Sequence, residues 1–251
     1  MYSGHQVYDI PLRGGRLLTL PNFETKCPDY PMVDRVEVSS PDIRNISVKV
    51  VFADIGSIEA ADSIARVIAS QVADRLAFRY KLSADDPIKG ASKFTSKDAI
   101  GGPATMVAQG LSLTTSAHLT LEVSKAEVPQ LKADTESVPA RREPYLSQFR
   151  WILRQDDPVA RFMHLYKILL SLEGGTQHTQ GQVDKFIKSQ EPSVKIVHNS
   201  HLNKSETIYT RLRNEVGHEI AGTTPASTRA DMEQQIDKMT DHVKAAIAKL
   251  T

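Results

Sequence analysis

Cysteine is nearly absent from this sequence, because Cys27 is the single thiol among 251 residues. One thiol cannot form a disulfide within the chain or build a thiolate metal cluster, so the sequence excludes both. Long apolar runs are also lacking, and residues 1–16 do not have the basic and then apolar layout of a signal peptide. We therefore expect a cytoplasmic protein that makes no membrane contact.

The chain also has little net charge and no phosphate-binding loop. Its 31 Lys and Arg residues are balanced by 30 Asp and Glu residues, which leaves a formal charge of +1. This balance gives no general signal for binding a polyanion. Gly101-Gly102-Pro103 lacks the Lys and the Ser or Thr of a nucleotide-binding loop, and we predict no cofactor.

The first half of the chain has the pattern of a mixed domain. Segments rich in Val, Ile and Leu predict strands at residues 16–20, 34–39 and 45–53. After a helix cap at Ser57, apolar residues recur every three or four positions to about Leu82, which predicts one long amphipathic helix.

A polar, glycine-containing segment follows at residues 83–103, and apolar residues then alternate with polar ones over residues 111–123. This alternation predicts a half-buried strand of an antiparallel sheet. Such a sheet, covered on one face by the helix, gives an α+β domain over residues 1–136, with sensing or substrate recognition as its expected role. Proline among charged and small residues predicts an exposed linker at 124–143, with the domain boundary near Ser137.

Helix signals dominate residues 137–251, which predicts an all-α bundle of four to five helices. The first helix lies around residues 145–153, and the second runs from an Asp157 cap to Glu173, where Gly174-Gly175 ends it. A third covers residues 182–190.

The last two predicted helices carry the strongest chemical signal of the chain. Ser205 is the predicted cap of one, in which Ile208, Leu212 and Val216 form an apolar stripe. The other is predicted from Thr228, with Asp231 at the capping-box position, to Leu250. The hexad Arg213-Asn214-Glu215-Val216-Gly217-His218 lies at the end of the first of these two helices.

The hexad combines residue types that suit RNA cleavage. On an unbroken helix, residues five positions apart point about 140° away from each other. A helix that ends at Gly217 lets His218 turn back toward Arg213 and Asn214. The imidazole then exchanges protons with a ribose 2′-hydroxyl or a leaving 5′-oxygen, the guanidinium binds the phosphate, and the amide orients either group.

An Arg, a polar residue, three further residues and a His near the end of a bundle helix resemble the motif of HEPN domains (higher eukaryotes and prokaryotes nucleotide-binding). The resemblance covers about residues 145–251 and matches Arg213, Asn214 and His218 to the motif. It implies a homodimer whose two motifs form one composite site, which cleaves RNA without metal and leaves a 2′,3′-cyclic phosphate. Ile220 stands where toxins paired with nucleotidyltransferase antitoxins carry a Tyr, so regulation through that Tyr is not expected.

Several basic side chains of this half are candidate RNA contacts, although such residues more commonly form a solvated helix face. They are Arg150, Arg154, Arg161, Lys204 and Arg211. His178, His198 and His201 have no nearby pair of carboxylates, so we predict no metal site.

The sequence therefore favours a metal-independent RNA endonuclease of HEPN type, a hydrolase that serves as a toxin or an antiviral defence effector. Its expected partners are RNA, a second copy of the chain, and a trigger or neutralising protein. The alternative is a non-catalytic module that dimerises for binding or assembly.

Overall fold

The computed structural model describes residues 1–96, 104–106, 119–136, 139–199, 203–217 and 222–250. The chain divides into two compact units, Met1–Val138 (unit 1) and Pro139–Thr251 (unit 2). Strands dominate unit 1 and helices dominate unit 2, so the protein has a mixed α+β fold. Within the described ranges, no helix combines the length and apolar character needed to cross a membrane.

Unit 1 is built on one long helix, a second short helix and the strands around them. Its elements are β1 (Tyr2–Arg13), β2 (Arg16–Thr19), β3 (Phe23–Thr25), β4 (Val33–Asp42), β5 (Asn45–Ile55), α1 (Ile58–Tyr80), β6 (Ser83–Ala84), β7 (Ile88–Ser96), β8 (Ala104–Met106), β9 (Leu119–Glu122), a 3-10 turn (Lys125–Glu127) and α2 (Val128–Glu136).

The main sheet has the antiparallel strand order β3-β4-β5-β1-β7-β8, and β6 pairs separately with β1. Alternate residues of β5, Ile46, Val48, Val50 and Phe52, are buried, as period-two alternation requires. Helix α1 packs on β1 and β5 through a face rich in small alanines. The predicted antiparallel sheet with one long helix is therefore confirmed for unit 1.

Two strands of this sheet carry weak sequence signals. In β1 the buried positions include Gln6, which interrupts the apolar alternation completed by Tyr8, Ile10 and Leu12. In β7 nearly every residue is at least partly exposed, and Phe94 supplies its buried side chain. Strands with so few buried apolar residues resemble polar loops when only the sequence is read.

The linker prediction is wrong for residues 128–136, which form α2. Pro129 lies in the first turn of this helix, where its missing N–H group is tolerated. Leu131 and Thr135 are buried, and the Oε1 atom of Glu136 accepts a hydrogen bond from Thr25 Oγ1 at 3.0 Å. This helix is therefore an integral part of unit 1.

The strand predicted over residues 111–123 is described only from residue 119 onward, and residues 111–118 lie outside the described part of the chain. The described portion, β9, does not join an antiparallel sheet. It pairs in parallel with β2, with Leu119 opposite Arg16 and Glu122 opposite Thr19. The antiparallel prediction is therefore wrong for this segment.

Unit 2 contains five described helices and one hairpin. They are α3 (Glu143–Leu153), α4 (Pro158–Glu173), α5 (Gln180–Gln190), β10 (Ile196–Asn199), β11 (Lys204–Thr207), α6 (Ile208–Gly217) and α7 (Pro225–Ala248). Helix α4 packs against α3, α5, α6 and α7, so it forms the centre of the unit. The β10–β11 hairpin contradicts the prediction of an exclusively helical unit.

Two predicted helix starts in unit 2 are wrong. Ser205 belongs to β11, and α6 begins at Ile208, where Thr207 Oγ1 accepts a hydrogen bond from the backbone N–H of Thr210. Helix α7 is capped by Thr224 instead of Thr228, because Thr224 Oγ1 accepts from the backbone N–H of Ser227 at 3.1 Å. In both cases a nearby hydroxyl residue satisfies the same capping pattern.

Candidate functional site

Helix α6 carries the first five residues of the hexad, Arg213 to Gly217, and the helix ends at Gly217. Helix α6 buries Tyr209, Thr210, Leu212 and Asn214, so its inward face is more polar than the predicted apolar stripe. Val216 is wrongly placed in that stripe, because 45% of it is exposed.

The end of the hexad is described only in part. Gly217 does not adopt a left-handed φ angle, so the helix continues regularly to this residue. His218 and Ile220 lie outside the described residues. The predicted return of His218 toward Arg213 therefore stays a prediction.

Arg213 and Asn214 are directly connected. The Nη1 atom of Arg213 donates a hydrogen bond to Oδ1 of Asn214 at 3.0 Å, and Nε2 of Gln180 donates to the same oxygen at 2.9 Å. The amide nitrogen of Asn214 donates to Oε2 of Glu206 at 3.1 Å. Asn214 is buried, so its orientation is set by these partners and not by water.

Glu206, which accepts the hydrogen bond from Asn214, is fully buried, with 0% exposure. It lies on β11, and its Oε1 atom accepts a hydrogen bond from the side-chain amide of Asn199 on β10, at 3.2 Å. Both oxygens of the carboxylate are therefore used by side-chain amides. The hairpin and the middle of α6 are held together through this carboxylate.

A second buried carboxylate, Asp184 on α5, holds the start of α6. Its Oδ1 atom accepts from Thr207 Oγ1 at 2.6 Å and from Thr210 Oγ1 at 2.7 Å. Since the hydroxyl proton of Thr210 goes to Asp184, the Tyr166 hydroxyl donates to Thr210 Oγ1, at 2.8 Å. Burial, together with the nearby charges of Asp184 and Glu206, raises the pKa of Tyr166. Tyr166 therefore keeps its proton at neutral pH.

Glu215, the third residue of the hexad, connects α6 to α7. It accepts hydrogen bonds from Arg211 Nε at 2.9 Å and from Thr228 Oγ1 at 2.8 Å. Arg211 is therefore engaged in an ion pair four residues along its own helix. These contacts fix the helix that carries Arg213.

The other proposed RNA contacts differ in accessibility. Arg150 is buried in α3, and Arg154 is half-buried at the end of that helix. Arg161 donates its Nε–H to the backbone oxygen of Gln155 at 2.9 Å. Lys204 is exposed on β11, two residues from Glu206. Of the predicted site residues, the structure brings Arg213 and Asn214 into contact.

The histidines considered as metal ligands are not gathered into a site in the described part of the chain. His198 is exposed on β10, and His178 is exposed after α4, where its Nδ1 lies 3.2 Å from the backbone oxygen of Leu170. His201 lies outside the described residues. Across the ranges that the structure covers, no three His, Cys, Asp or Glu side chains form a metal-binding group.

A further cluster, which the sequence did not predict, surrounds Glu191 at the end of α5. Its Oε2 atom accepts from the Tyr209 hydroxyl at 2.9 Å and lies 3.2 Å from Nε2 of His242, while Lys238 donates to Oε1 at 2.5 Å. Glu191, Tyr209 and Lys238 line a cleft of about 260 Å³. Four residues from three separate segments meet here, so no local sequence motif marks the cluster.

Comparison of the chain with protein-family models, with curated proteins and with solved structures gave no match.

Proposed function

We propose that unit 2 is a metal-independent RNA endonuclease of HEPN type, with Arg213, Asn214 and His218 as its reactive set. The observation that carries the proposal is the hydrogen bond from Arg213 to Asn214, which the buried Glu206 holds in place. A guanidinium fixed by a buried network is prepared to bind a phosphate, because little reorganisation is needed when charge develops.

The reaction is a transesterification at phosphorus. The ribose 2′-oxygen attacks the phosphorus and loses its proton to a base, and the bond to the 5′-oxygen breaks as that oxygen gains a proton. The products are a 2′,3′-cyclic phosphate and a 5′-hydroxyl, so the step consumes no water. In this proposal His218 transfers protons, and Arg213 stabilises the negative charge on the phosphate oxygens.

A homodimer is part of the proposal, since two hexads together would supply more than one histidine to a single phosphate. In the proposed dimer, Val216 lies within the hexad and is 45% exposed, so it would be close to the contact between the two copies. The second candidate is a module that dimerises for binding or assembly without catalysis.

In the wider proposal the enzyme acts as a toxin or a phage-defence effector. Unit 1 would then sense a trigger, select the RNA or receive a neutralising protein. Lys204 and the partly accessible arginines of unit 2 would contact the RNA backbone, and their contribution would weaken as salt concentration rises.

The test is cleavage of total RNA and of tRNA by the purified full chain in EDTA. We expect cyclic-phosphate ends, and a loss of about 100-fold or more in rate for His218→Ala and for Arg213→Ala. His178→Ala, which changes an exposed histidine elsewhere in unit 2, should cleave like the wild type. Equal cleavage by the wild type and His218→Ala would overturn the nuclease proposal.

The assembly alternative is separated by measuring mass in solution. A dimer that is lost in Val216→Asp, together with the absence of cleavage by the wild type under any trigger, would favour the assembly module. A dimer with cleavage that disappears in His218→Ala supports the enzyme.

A further inference from the structure

Glu206 carries a full carboxylate into a position with 0% exposure. Burial of a charged group is costly unless its oxygens are well hydrogen-bonded, so such a residue is rarely retained for packing alone. In the described part of the chain, its oxygens accept from the side-chain amides of Asn199 and Asn214. A carboxylate, and not a neutral group, therefore lies between these two amides.

The carboxylate fixes the orientation of the amides that contact it. A carboxylate only accepts hydrogen bonds, so each amide that meets it must present its nitrogen. Once the nitrogen of Asn214 faces Glu206, the oxygen of the same amide faces the opposite side. There it accepts hydrogen bonds from Arg213 Nη1 and Gln180 Nε2. A reversed amide would set nitrogen against two donors.

The direction of hydrogen bonding therefore runs in one sense through the network. Arg213 donates a hydrogen bond to Asn214, and Asn214 donates one to Glu206. The series of hydrogen bonds ends at Glu206, because a carboxylate can only accept. Asn199 donates to the other oxygen of Glu206 from the neighbouring strand and holds the carboxylate in place. The β10–β11 hairpin thus supplies the fixed end of the network.

We propose that Glu206 is a positioning residue, whose buried carboxylate fixes the orientation of the Asn214 amide and, through it, the position of the Arg213 guanidinium. Its catalytic consequence rests on the nuclease function proposed above. The hairpin, which the sequence did not predict, is then part of the scaffold of the site.

The main test variant is Glu206→Gln, which keeps the shape of the side chain but turns one acceptor into a donor. One of the two asparagine amides then loses its acceptor. The double variant Asn199→Asp with Glu206→Gln exchanges the two groups, because the new glutamine can donate to the new aspartate and still accept from Asn214. Glu233→Gln, on an exposed position of α7, is the matched control.

The positioning itself is measured by NMR in the full chain. The Asn214 side-chain amide and the Arg213 Nε–H resonances, assigned through substitutions at those positions, should shift in Glu206→Gln. Their exchange with solvent should also become faster. The double variant should restore them, and Glu233→Gln should leave them unchanged. Unchanged resonances in a folded Glu206→Gln would overturn the inference.

Cleavage is measured in parallel. We expect Glu206→Gln to lower kcat by about tenfold or more with a smaller effect on KM, as for other residues that orient a reactive group. If Glu206→Gln does not fold, the double variant decides: a folded double variant with displaced resonances and lost cleavage overturns the inference. If the wild type does not cleave RNA, the nuclease proposal fails, and the NMR comparison still decides the role of Glu206.

Discussion

The Nε2 atom of His242 lies 3.2 Å from Oε2 of Glu191, with only 7% and 16% of the two side chains exposed. Burial lowers the pKa of His242 below its ordinary value of 6.5, and the opposing effect of Glu191 does not reverse this. Burial alone would raise the pKa of Glu191, but hydrogen bonds from Lys238, Tyr209 and His242 outweigh it and lower that pKa below 4.5. Neutral His242 therefore donates its Nε2–H to an ionised Glu191 at neutral pH.

This pair makes stability depend on pH in a defined window. Because the folded pKa of His242 is lowered, its contribution is fully present above about pH 6.5 and is lost as pH falls toward the folded value. Urea unfolding at pH 7.5, 6.5 and 5.5 should show that the free energy of unfolding falls with pH in the wild type. The fall should be smaller in His242→Gln, by up to about 1.4 kcal/mol per pH unit. The same pH dependence in both proteins would contradict this assignment.

The hydroxyl of Tyr209 has a separate role in the same cluster. Its ring stacks near Phe162, with centroids 6.5 Å apart, and its hydroxyl donates to Glu191. Tyr209→Phe keeps the ring and removes the donor, so we expect the free energy of unfolding to fall by about 1–2 kcal/mol. Trp151, the single tryptophan of the chain, lies in unit 2 and reports the unfolding by its fluorescence.

The control for this prediction is Tyr145→Phe. The Tyr145 hydroxyl makes a weaker and exposed contact with Ser171, at 3.4 Å. Its loss should change the free energy of unfolding by less than about 0.5 kcal/mol. Equal losses in the free energy of unfolding for the two variants would contradict a stabilising hydrogen bond from Tyr209 to Glu191.

The start of α7 can be located by mutation. Thr224→Ala removes the hydroxyl that accepts from Ser227 N, and we expect a loss of about 1 kcal/mol. Asp231→Ala, at the capping position that the sequence predicted, should have almost no effect because this exposed residue lies in the second turn of the helix. Thermal unfolding measures both variants, and the reverse order of effects would favour the later helix start.

Two glycines of unit 2 should respond to alanine in opposite directions. At Gly174, which ends α4, an added methyl group would clash with the backbone of Leu170 and His178, so Gly174→Ala should destabilise by about 2 kcal/mol. At Gly181, near the start of α5, an added Cβ would meet no described atom within 4 Å apart from its chain neighbours and its own helix backbone. There alanine should stabilise by about 0.5–1 kcal/mol, because glycine is a poor helix former.

Urea unfolding of the full chain, followed through Trp151, compares these two variants under one condition. Stabilisation by Gly174→Ala would mean that the end of α4 rearranges to admit a methyl group. Destabilisation by Gly181→Ala would mean that the first turn of α5 has a packing partner.

The sequence predicted well those elements whose signals are local. The long helix α1 has its cap at Ser57, which accepts from Ala60 N, and α4 begins after Asp157, which accepts from Ala160 N. Caps and 3.6-residue periodicity need no knowledge of distant partners. For the same reason, the end of α4 at Glu173 agrees with its prediction.

Elements that depend on distant partners were missed. Strand β7 is polar and becomes a strand because β1 lies beside it, while α2 is tied to unit 1 through contacts such as Thr25 with Glu136. In the candidate site, adjacency in sequence was enough to predict that Arg213 and Asn214 lie close together. Nothing local indicates Glu206, because its role depends on a hairpin that folds back onto α6.

The parallel pairing of β2 with β9 affects when unit 1 can finish folding during its synthesis. Arg16 lies opposite Leu119, so the two strands are separated by about 100 residues of sequence. At usual rates of synthesis, β2 waits about 5–20 s before its partner has been made. Unit 1 therefore completes its fold in a late step, and a nascent chain that stalls before Glu122 leaves those backbone groups of β2 that pair with β9 open to pairing with another molecule.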